Sequence, residues 1–256
     1  MGKSSRASLG NSCRFVRRTK PCGVLRRAPR PGSIREAGIK LAEHTGIIVD
    51  HIYKSFGRET VLSDVSLAIP PGTVMGVVGN NGSGKTVLMK CICGFLRPDR
   101  GTVIVDGRQV GKDCDFPPSL GVIIETPGFI PNMSGYRNLK TLAALKGQIG
   151  RKEILAVLDR VGLGKSARKA VGKYSLGMRQ RLGIAQAIME DPAVLVLDEP
   201  FNGLDKSTVE DMRRLLLGLR DSGKAILLAS HNGEDIRELC DAVLELEVNI
   251  GKEAGI

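Results

Sequence analysis

A glycine-rich segment between an apolar strand pattern and a helical pattern constrains the fold of this chain more than any other feature. The segment reads Gly-Asn-Asn-Gly-Ser-Gly-Lys-Thr over residues 79–86 and matches G-x-x-x-x-G-K-[ST]. Such glycines let successive backbone N–H groups curl around phosphate oxygens, and the following helix N-terminus adds partial positive charge. Lys85 is predicted to reach the β- and γ-phosphates, and Thr86 to offer its hydroxyl to Mg²⁺. The predicted nucleotide-binding residues are Gly79, Asn80, Asn81, Gly82, Ser83, Gly84, Lys85, Thr86 and Val87.

A second segment, Val-Leu-Val-Leu-Asp-Glu over residues 194–199, ends an apolar strand pattern in two acids. Carboxylates at the carboxyl end of a buried strand lie at the crevice where open α/β sheets bind ligands. We expect Asp198 to bind Mg²⁺, directly or through water, and Glu199 to polarise an attacking water. Ordinary strand ends also carry acids, so this pattern gains its weight from the phosphate-binding loop.

A third segment, Tyr-Ser-Leu-Gly-Met-Arg-Gln-Arg over residues 174–181, leads into an amphipathic helical pattern. Ser175 is a good N-cap residue, so one interpretation is simply the start of a helix. The functional interpretation is a second anion-binding helix N-terminus, at which Ser175 and the backbone of Gly177 meet a γ-phosphate.

The order of strand and helix patterns predicts an α/β fold. Strand patterns alternate regularly with helical patterns in the C-terminal part, which favours a core of parallel strands. A long helical pattern at 134–189, broken at glycines, indicates an inserted helical region. The strand patterns cover 47–49, 61–69, 74–78, 102–105, 122–124, 193–197, 224–229 and 243–248.

The positive charge of the chain is concentrated near its N-terminus. The formal net charge is +11, yet residues 1–46 hold eleven of the 38 basic side chains and two of the 27 acidic ones. Residues 1–33 are rich in Arg, Ser, Pro and Gly without periodicity. We therefore predict a disordered extension at 1–45, a domain at 46–248 and a tail at 249–256. A short helix is a further expectation for 34–43.

Two explanations of the basic extension stay open. It shares the Arg-rich, acid-poor character of an organellar transit peptide, and an upstream mis-assigned start codon explains it equally well. Because the rest of the chain is nearly neutral, we expect no nucleic-acid partner. We also expect the domain at 46–248 to function without the extension.

The composition argues against a membrane-spanning chain and a disulfide scaffold. No apolar run approaches the roughly 18 residues that span a bilayer. Six cysteines fall at unrelated spacings in a chain too large to need disulfides. Cys91 and Cys93 are too close in sequence for the usual zinc pairing, so we expect free thiols in a reducing compartment.

Five motifs occur in one order: GNNGSGKT, SLGMRQR, VLVLDEP, NGLD and the pair Ser230-His231. Over roughly residues 46–248 the chain thereby resembles the ATP-binding cassette (ABC) subunits of ABC transporters. It is most similar to the branch that exports bacitracin-type and lantibiotic-type peptide antibiotics. The resemblance implies a P-loop NTPase core of the ABC ATPase type, with an N-terminal antiparallel β subdomain and an inserted α-helical subdomain at about 130–190.

The resemblance also implies roles for three residues that the patterns alone do not assign. Phe56 falls where the family places an aromatic ring that stacks on adenine. Asp205 matches the loop that crosses to the partner subunit. His231 matches the histidine that contacts the γ-phosphate, so the implied catalytic residues are Lys85, Glu199 and His231.

Two residues depart from the usual motifs of the family. The signature normally reads LSGGQ, and Leu176 replaces its first glycine, so we expect this side chain to crowd a site that normally admits bare backbone. Glu125 stands where the family usually has Gln. Its carboxylate can still bind Mg²⁺ or water but adds negative charge beside the phosphates, so we expect an altered metal preference or hydrolysis rate. The antibiotic-exporting branch also tends to show these variants.

The resemblance implies a Mg²⁺- and ATP-dependent ATPase that drives a separate integral membrane permease. Two composite nucleotide sites would form in a head-to-tail dimer, either a homodimer or a heterodimer with another cassette, at the cytoplasmic face of the cell membrane. The Glu125 loop and the helical region 134–169 are expected to contact the membrane subunit. The main alternative is a soluble ABC ATPase without a membrane partner. An inactive structural cassette is a third interpretation, which the catalytic side chains disfavour.

Overall fold

The structure, a computed structural model, describes residues 14–17 and 46–247, with the side chains of 14–17 left undescribed. The predicted helix at 34–43 and the predicted tail at 249–256 lie outside the described residues. The strands are β1 (Arg14–Arg17), β2 (Ile47–Phe56), β3 (Glu59–Ile69), β4 (Thr73–Val78), β5 (Arg100–Val105), β6 (Arg108–Gln109), β7 (Leu120–Ile123), β8 (Val194–Asp198), β9 (Ala225–Ala229) and β10 (Ala242–Glu245). The helices are α1 (Lys85–Cys93), α2 (Gly135–Lys146), α3 (Arg151–Arg160), α4 (Leu176–Ile188), α5 (Lys206–Asp221) and α6 (Gly233–Leu239).

The larger sheet has the strand order β1-β10-β4-β9-β8-β7. Its five strands from β10 to β7 are parallel, and β1 joins β10 in antiparallel pairing. All residues of β9 and the first four of β8 are buried, as expected for strands covered on both faces. The predicted α/β core with parallel strands is therefore confirmed.

The smaller sheet is antiparallel and has the order β3-β2-β5-β6. Its apolar side chains share one core with α1 and one face of the larger sheet, where Ile52, Leu62, Leu88 and Val196 are buried together. This arrangement confirms the N-terminal antiparallel β subdomain. It also places the start of α1 between the two sheets.

The inserted helices α2, α3 and α4 lie in the chain between β7 and β8. They share a second core with the other face of the larger sheet, in which Leu139, Leu158, Leu182 and Leu228 are buried. The fold is therefore the P-loop ABC ATPase arrangement with its helical insertion, as predicted. The domain limits at 46 and 248 stay predictions.

Strand β1 corrects the expectation of disorder at residues 14–17. Its four residues pair with Ala242–Glu245 of β10. Strand β10 pairs in turn with β4, which leads into the phosphate-binding loop. An open sheet edge offers unpaired N–H and C=O groups, and a distant segment that fills it gains ladder hydrogen bonds. Local composition cannot reveal such a pairing, because the partner strand lies at the other end of the sequence.

Several element ends differ from the patterns, most of all that of β2, which runs to Phe56 whereas the pattern ends at 49. The sequence predicts a helix from the glycine-rich loop to about 96, whereas helix α1 ends at Cys93 because Gly94 adopts a left-handed conformation (φ 85°). The close approach of the Asp115 carbonyl leaves no room for a side chain at Gly94. Strands β7 and β10 begin before their predicted starts at 122 and 243.

A close contact at Gly121 on β7 yields a stability prediction. A Cβ atom there would overlap the Ala187 carbonyl of α4 and approach the Leu195 side chain. We expect Gly121→Ala to lower the free energy of unfolding by about 2–3 kcal/mol, measured by denaturant titration. As the matched control, Gly218→Ala at an exposed position of α5 meets no atom within 4 Å and should raise stability by about 0.5–1 kcal/mol. Equal effects at the two sites would contradict this packing argument.

Candidate functional site

The phosphate-binding loop connects β4 to α1. Three of its glycines have positive φ angles: 155° at Gly79, 84° at Gly82 and 93° at Gly84. The loop therefore needs glycine for its backbone path. A Cβ atom at Gly79 would also lie 2.5 Å from the Ser83 hydroxyl oxygen. Strand β4 and helix α1 hold this loop at the carboxyl edge of the larger sheet.

Two side chains of the loop show that it fits a polyphosphate. Lys85 Nζ donates hydrogen bonds to the carbonyl oxygens of Gly79 at 2.7 Å and Asn80 at 3.0 Å. The Ser83 hydroxyl is buried without a hydrogen-bond partner. An ammonium and an unsatisfied hydroxyl at a helix N-terminus are donors suited to phosphate oxygens.

Two acids lie at the carboxyl end of β8, at the same edge of the sheet: Asp198 is its last residue and Glu199 follows it. Asp198 pairs in register with Ala229 of β9 and accepts a 2.9 Å hydrogen bond from the Thr86 hydroxyl. This contact brings together two of the predicted Mg²⁺ ligands, which lie 112 residues apart. The described residues contain no group of three or more His, Cys, Asp or Glu arranged for a metal. A hydroxyl and one carboxylate instead fit Mg²⁺, which commonly takes one or two protein ligands together with water and substrate phosphates.

Glu199 is held by the segment that follows β9. Its backbone has a left-handed φ of 48°, and its N–H donates to the Ala229 carbonyl at 3.0 Å. One carboxylate oxygen accepts the His231 N–H at 2.9 Å, and the other lies 2.8 Å from His231 Nδ1. Because a carboxylate only accepts hydrogen bonds, Nδ1 carries the proton in this contact. The predicted catalytic pair is therefore assembled by two hydrogen bonds.

A buried ionic network supports the histidine segment, and the sequence analysis missed it. Asp235 accepts a 2.9 Å hydrogen bond from the Ser230 hydroxyl and a 3.0 Å hydrogen bond from Arg213 Nε. Asp235 and Ser230 are both buried, and Ser230 in turn accepts the Asn232 N–H. Because these contacts flank His231, they fix the turn that presents it to Glu199. No sequence signal joins Arg213 to Asp235, which lie on different helices.

The signature segment begins α4 as predicted. Ser175 is the N-cap residue and accepts the Met178 N–H at 3.2 Å. Leu176 is 55% exposed and packs on Gly203, whose own Cβ position it would block. One turn further along, Gln180 donates to the Glu199 carbonyl at 3.0 Å, a contact that the sequence analysis did not foresee.

Phe56 ends β2 with its ring 47% exposed. Lys54 Nζ lies 5.6 Å from the ring centroid, within the range of a cation–π contact. Asp99 holds this strand end by accepting bonds from Lys54 Nζ at 2.8 Å and from the Ser55 N–H at 2.7 Å. These two donors keep the pKa of Asp99 below its usual value.

Asp205 is the N-cap residue of α5. Its carboxylate accepts hydrogen bonds from the Ser207 hydroxyl at 2.7 Å, the Thr208 N–H at 3.0 Å and the Thr208 hydroxyl at 2.8 Å. These donors hold the pKa of Asp205 well below its usual value, so the carboxylate stays ionised.

Glu125 follows β7 in a left-handed conformation with φ 60°. Its carboxylate Oε1 lies 2.6 Å from Lys90 Nζ on α1, whereas the Thr86 hydroxyl bonds Asp198. Of the three predicted metal ligands, the structure thus pairs two with each other and gives the third a lysine partner.

One cleft of about 680 Å³ collects most of the predicted site. It is lined by Phe56, Asn81, Gly82, Gly84, Lys85, Thr86, Val87, Glu125, Leu176, Asp198 and Glu199, among others. The predicted site residues that do not line it are Gly79, Asn80, Ser83, Ser175, Gly177, Asp205 and His231. Glu199 and His231 share a neighbouring cleft of about 500 Å³.

The cysteines near this site have no part in it. Cys91 and Cys93 on α1 are buried free thiols. Burial raises the pKa of Cys91 to about 11 and that of Cys93 to about 12, so both stay protonated.

A phosphate loop between a buried parallel strand (β4) and a helix, with acids at the end of a second parallel strand (β8) separated from it by β9, defines a P-loop nucleoside-triphosphatase. The sequence profile of the ABC transporter family matches residues 62–202. This chain belongs to that family, as an ATP-binding cassette ATPase.

Curated relatives agree with this assignment. An ABC transporter ATP-binding protein of Bacillus subtilis, YybJ, is 41% identical over 78% of this chain and 92% of its own. The bacitracin transport ATP-binding protein BcrA of Enterococcus faecalis is 40% identical over 80% of this chain and 70% of its own. The lantibiotic transport ATP-binding protein SrtF of Streptococcus pyogenes is 35% identical over 76% and 84%, respectively. These relatives confirm the predicted resemblance to the branch that exports bacitracin-type and lantibiotic-type peptide antibiotics.

Solved structures agree on the fold. An ATP-binding subunit of an ABC transporter superposes with a TM-score of 0.72 at 25% identity, covering 79% of this chain and 86% of its own. A bacterial ABC transporter cassette gives 0.71 at 23% identity, covering 79% and 94%. Within residues 14–17 and 46–247, no helix has the length and apolar character needed to cross a bilayer.

Proposed function

We propose that this chain is the ATP-hydrolysing subunit of a multi-subunit ABC exporter for a peptide antibiotic or a similar substrate. It would act on a separate integral membrane permease, as a peripheral protein at the cytoplasmic face of the cell membrane. The bacitracin and lantibiotic transport proteins among its relatives support the substrate class. One observation carries the ATPase assignment: Glu199, held by His231, lies at the same sheet edge as the phosphate-binding loop.

Each predicted side chain has a role in ATP hydrolysis at this cleft. Lys85, Ser83 and the loop N–H groups bind the phosphates, and Phe56 stacks on adenine. Thr86 and Asp198 would hold Mg²⁺, which when bound would supply positive charge to the phosphates. Glu199 orients and polarises the attacking water, and His231 keeps its carboxylate in place while contacting the γ-phosphate. Developing charge is then stabilised by groups already in position.

We also propose that the working form is a head-to-tail dimer, with itself or with another cassette. Ser175 and Gly177 begin a helix whose N-terminus suits an anion, yet neither lines the cleft of their own phosphate-binding loop. Their γ-phosphate contact would be made to the loop of a second subunit, and Asp205, the N-cap residue of α5, would lie beside that crossing point. Leu176, exposed next to Gly203, would face the same junction.

The alternative is a soluble ABC ATPase without a permease, and co-purification from membranes separates the two. The tagged wild-type chain and a tagged Glu199→Gln variant are each expressed in the source cells. The variant serves as the bait, because ATP that is bound but not hydrolysed favours the closed dimer. We expect an integral membrane protein to co-purify at fixed stoichiometry in detergent. Washing the membranes with alkaline carbonate, which strips peripheral proteins, should release the tagged chain. Recovery of both proteins from the soluble fraction alone, with full ATPase activity in the wild-type chain, would support the alternative.

A further inference from the structure

Lys90 on α1 is the charged partner of Glu125. The Nζ atom lies 2.6 Å from Glu125 Oε1, and the lysine side chain is 31% exposed. Lys90 follows Thr86 by four residues, so the two side chains share one face of α1. The lysine therefore lies one helical turn from the proposed Mg²⁺ ligand.

Glu125 is one of four carboxylates that line the proposed ATP cleft. Glu59, Asp198 and Glu199 line the same cleft, and Lys85 is the loop cation. The negative carboxylates of the cleft repel the negative phosphates of ATP, and this repulsion grows as water is excluded. An exposed ion pair contributes little to the free energy of unfolding. We therefore expect the Lys90–Glu125 pair to act mainly through the electrostatic field at the nucleotide.

We propose that Lys90 is a positioning residue for the nucleotide site, which holds the Glu125 carboxylate and offsets its charge. The inference rests on the proposed ATP site and deepens it. Lys90 matters only because position 125 carries a carboxylate, since a glutamine there would bring no charge to offset. The proposal is tested by asking whether the effect of replacing Lys90 on ATP binding depends on the residue at position 125.

A four-protein comparison tests this dependence: wild type, Lys90→Met, Glu125→Gln and the double variant. Equilibrium ATP binding is measured by calorimetry, once with Mg²⁺ and once with a chelator. We expect Lys90→Met to weaken ATP binding about tenfold, with the larger loss in chelator, where no metal offsets the carboxylates. The double variant should bind ATP within about twofold of wild type.

The rescue distinguishes positioning from a structural role. Lys90 also lies in the last turn of α1, where a cation stabilises the helix C-terminus. Damage to the helix would persist in the double variant, because Glu125→Gln cannot repair it. Lys146→Met is the matched control, since Lys146 forms a 2.7 Å ion pair with Glu190 outside the cleft. It should leave ATP affinity unchanged.

Two results would overturn the inference: wild-type ATP affinity in Lys90→Met, or an equal loss in the single and double variants. Either result leaves ATP binding by the wild type intact, so the proposed function would stand. Failure of the wild type itself to bind ATP would instead refute the proposed function. Restoration of affinity by Glu125→Gln together with normal binding by Lys90→Arg would support the proposal.

Discussion

Replacement of Glu199 by glutamine is expected to reduce steady-state ATP hydrolysis about 100- to 10,000-fold while ATP still binds. Glutamine has nearly the same shape: its amide oxygen can still accept the His231 N–H, and its NH₂ group can donate to Nδ1 in the other tautomer of His231, so the segment stays in place. The amide cannot take a proton from the attacking water, and general bases contribute factors of this size. The measurements are phosphate release and equilibrium ATP binding on the same preparation.

Glu153→Gln provides the control for this substitution. Glu153 lies on α3 and accepts the Gly150 N–H at 2.9 Å, a contact that glutamine also makes. The control should hydrolyse ATP at the wild-type rate. Wild-type turnover in Glu199→Gln would remove Glu199 from the proposed mechanism, whereas loss of both binding and turnover would indicate a role in holding the site together.

Lys85→Ala is expected to weaken ATP binding by about 2–3 kcal/mol, or about 30- to 150-fold. Hydrogen bonds that involve a charged group contribute about 1.5–3 kcal/mol each, and the ammonium is the principal cation at the phosphates. Lys85 also bonds the carbonyls of Gly79 and Asn80, so the loop loses internal contacts as well. Calorimetric titration with ATP measures the change.

A thermal melt of the same variant separates the two contributions. The folded protein without nucleotide should change little in melting temperature, because the loop is exposed and α1 keeps its packing. Added ATP should raise the melting temperature of the wild type much more than that of Lys85→Ala. An equal ATP-induced rise in both proteins would count against the phosphate-loop assignment.

Contiguous motifs were the most predictable part of the site. The loop at 79–86, the strand ending in Asp198 and Glu199, and the N-cap at Ser175 each depend on neighbouring residues. Local backbone chemistry is therefore enough to predict their structure. The resemblance then supplied Phe56 and His231, and the structure places the first at the cleft and the second on Glu199.

Contacts between distant segments escaped the sequence analysis. Lys90 meets Glu125 across 35 residues, and Arg213 meets the buried Asp235 across 22. The segment 14–17 was expected to be disordered, yet it pairs with β10 from the opposite end of the chain. Each of these contacts depends on which elements become neighbours in the folded sheet, and no local pattern encodes that.

The amino-acid sequence was sufficient for the fold class, the phosphate-binding loop and the family, because these follow from short patterns with strong steric and electrostatic requirements. Neighbouring residues alone are enough to recognise the glycines at positive φ, the lysine at a helix N-terminus and the acids at a strand end. Which side chain holds Glu199, what offsets the charge of Glu125 and how the edge of the larger sheet is filled were settled by the packing of distant segments. Hydrogen bonds and ion pairs form between whatever groups the fold brings within about 3 Å, and that proximity exists only after β7, β8, β9 and α1 have assembled.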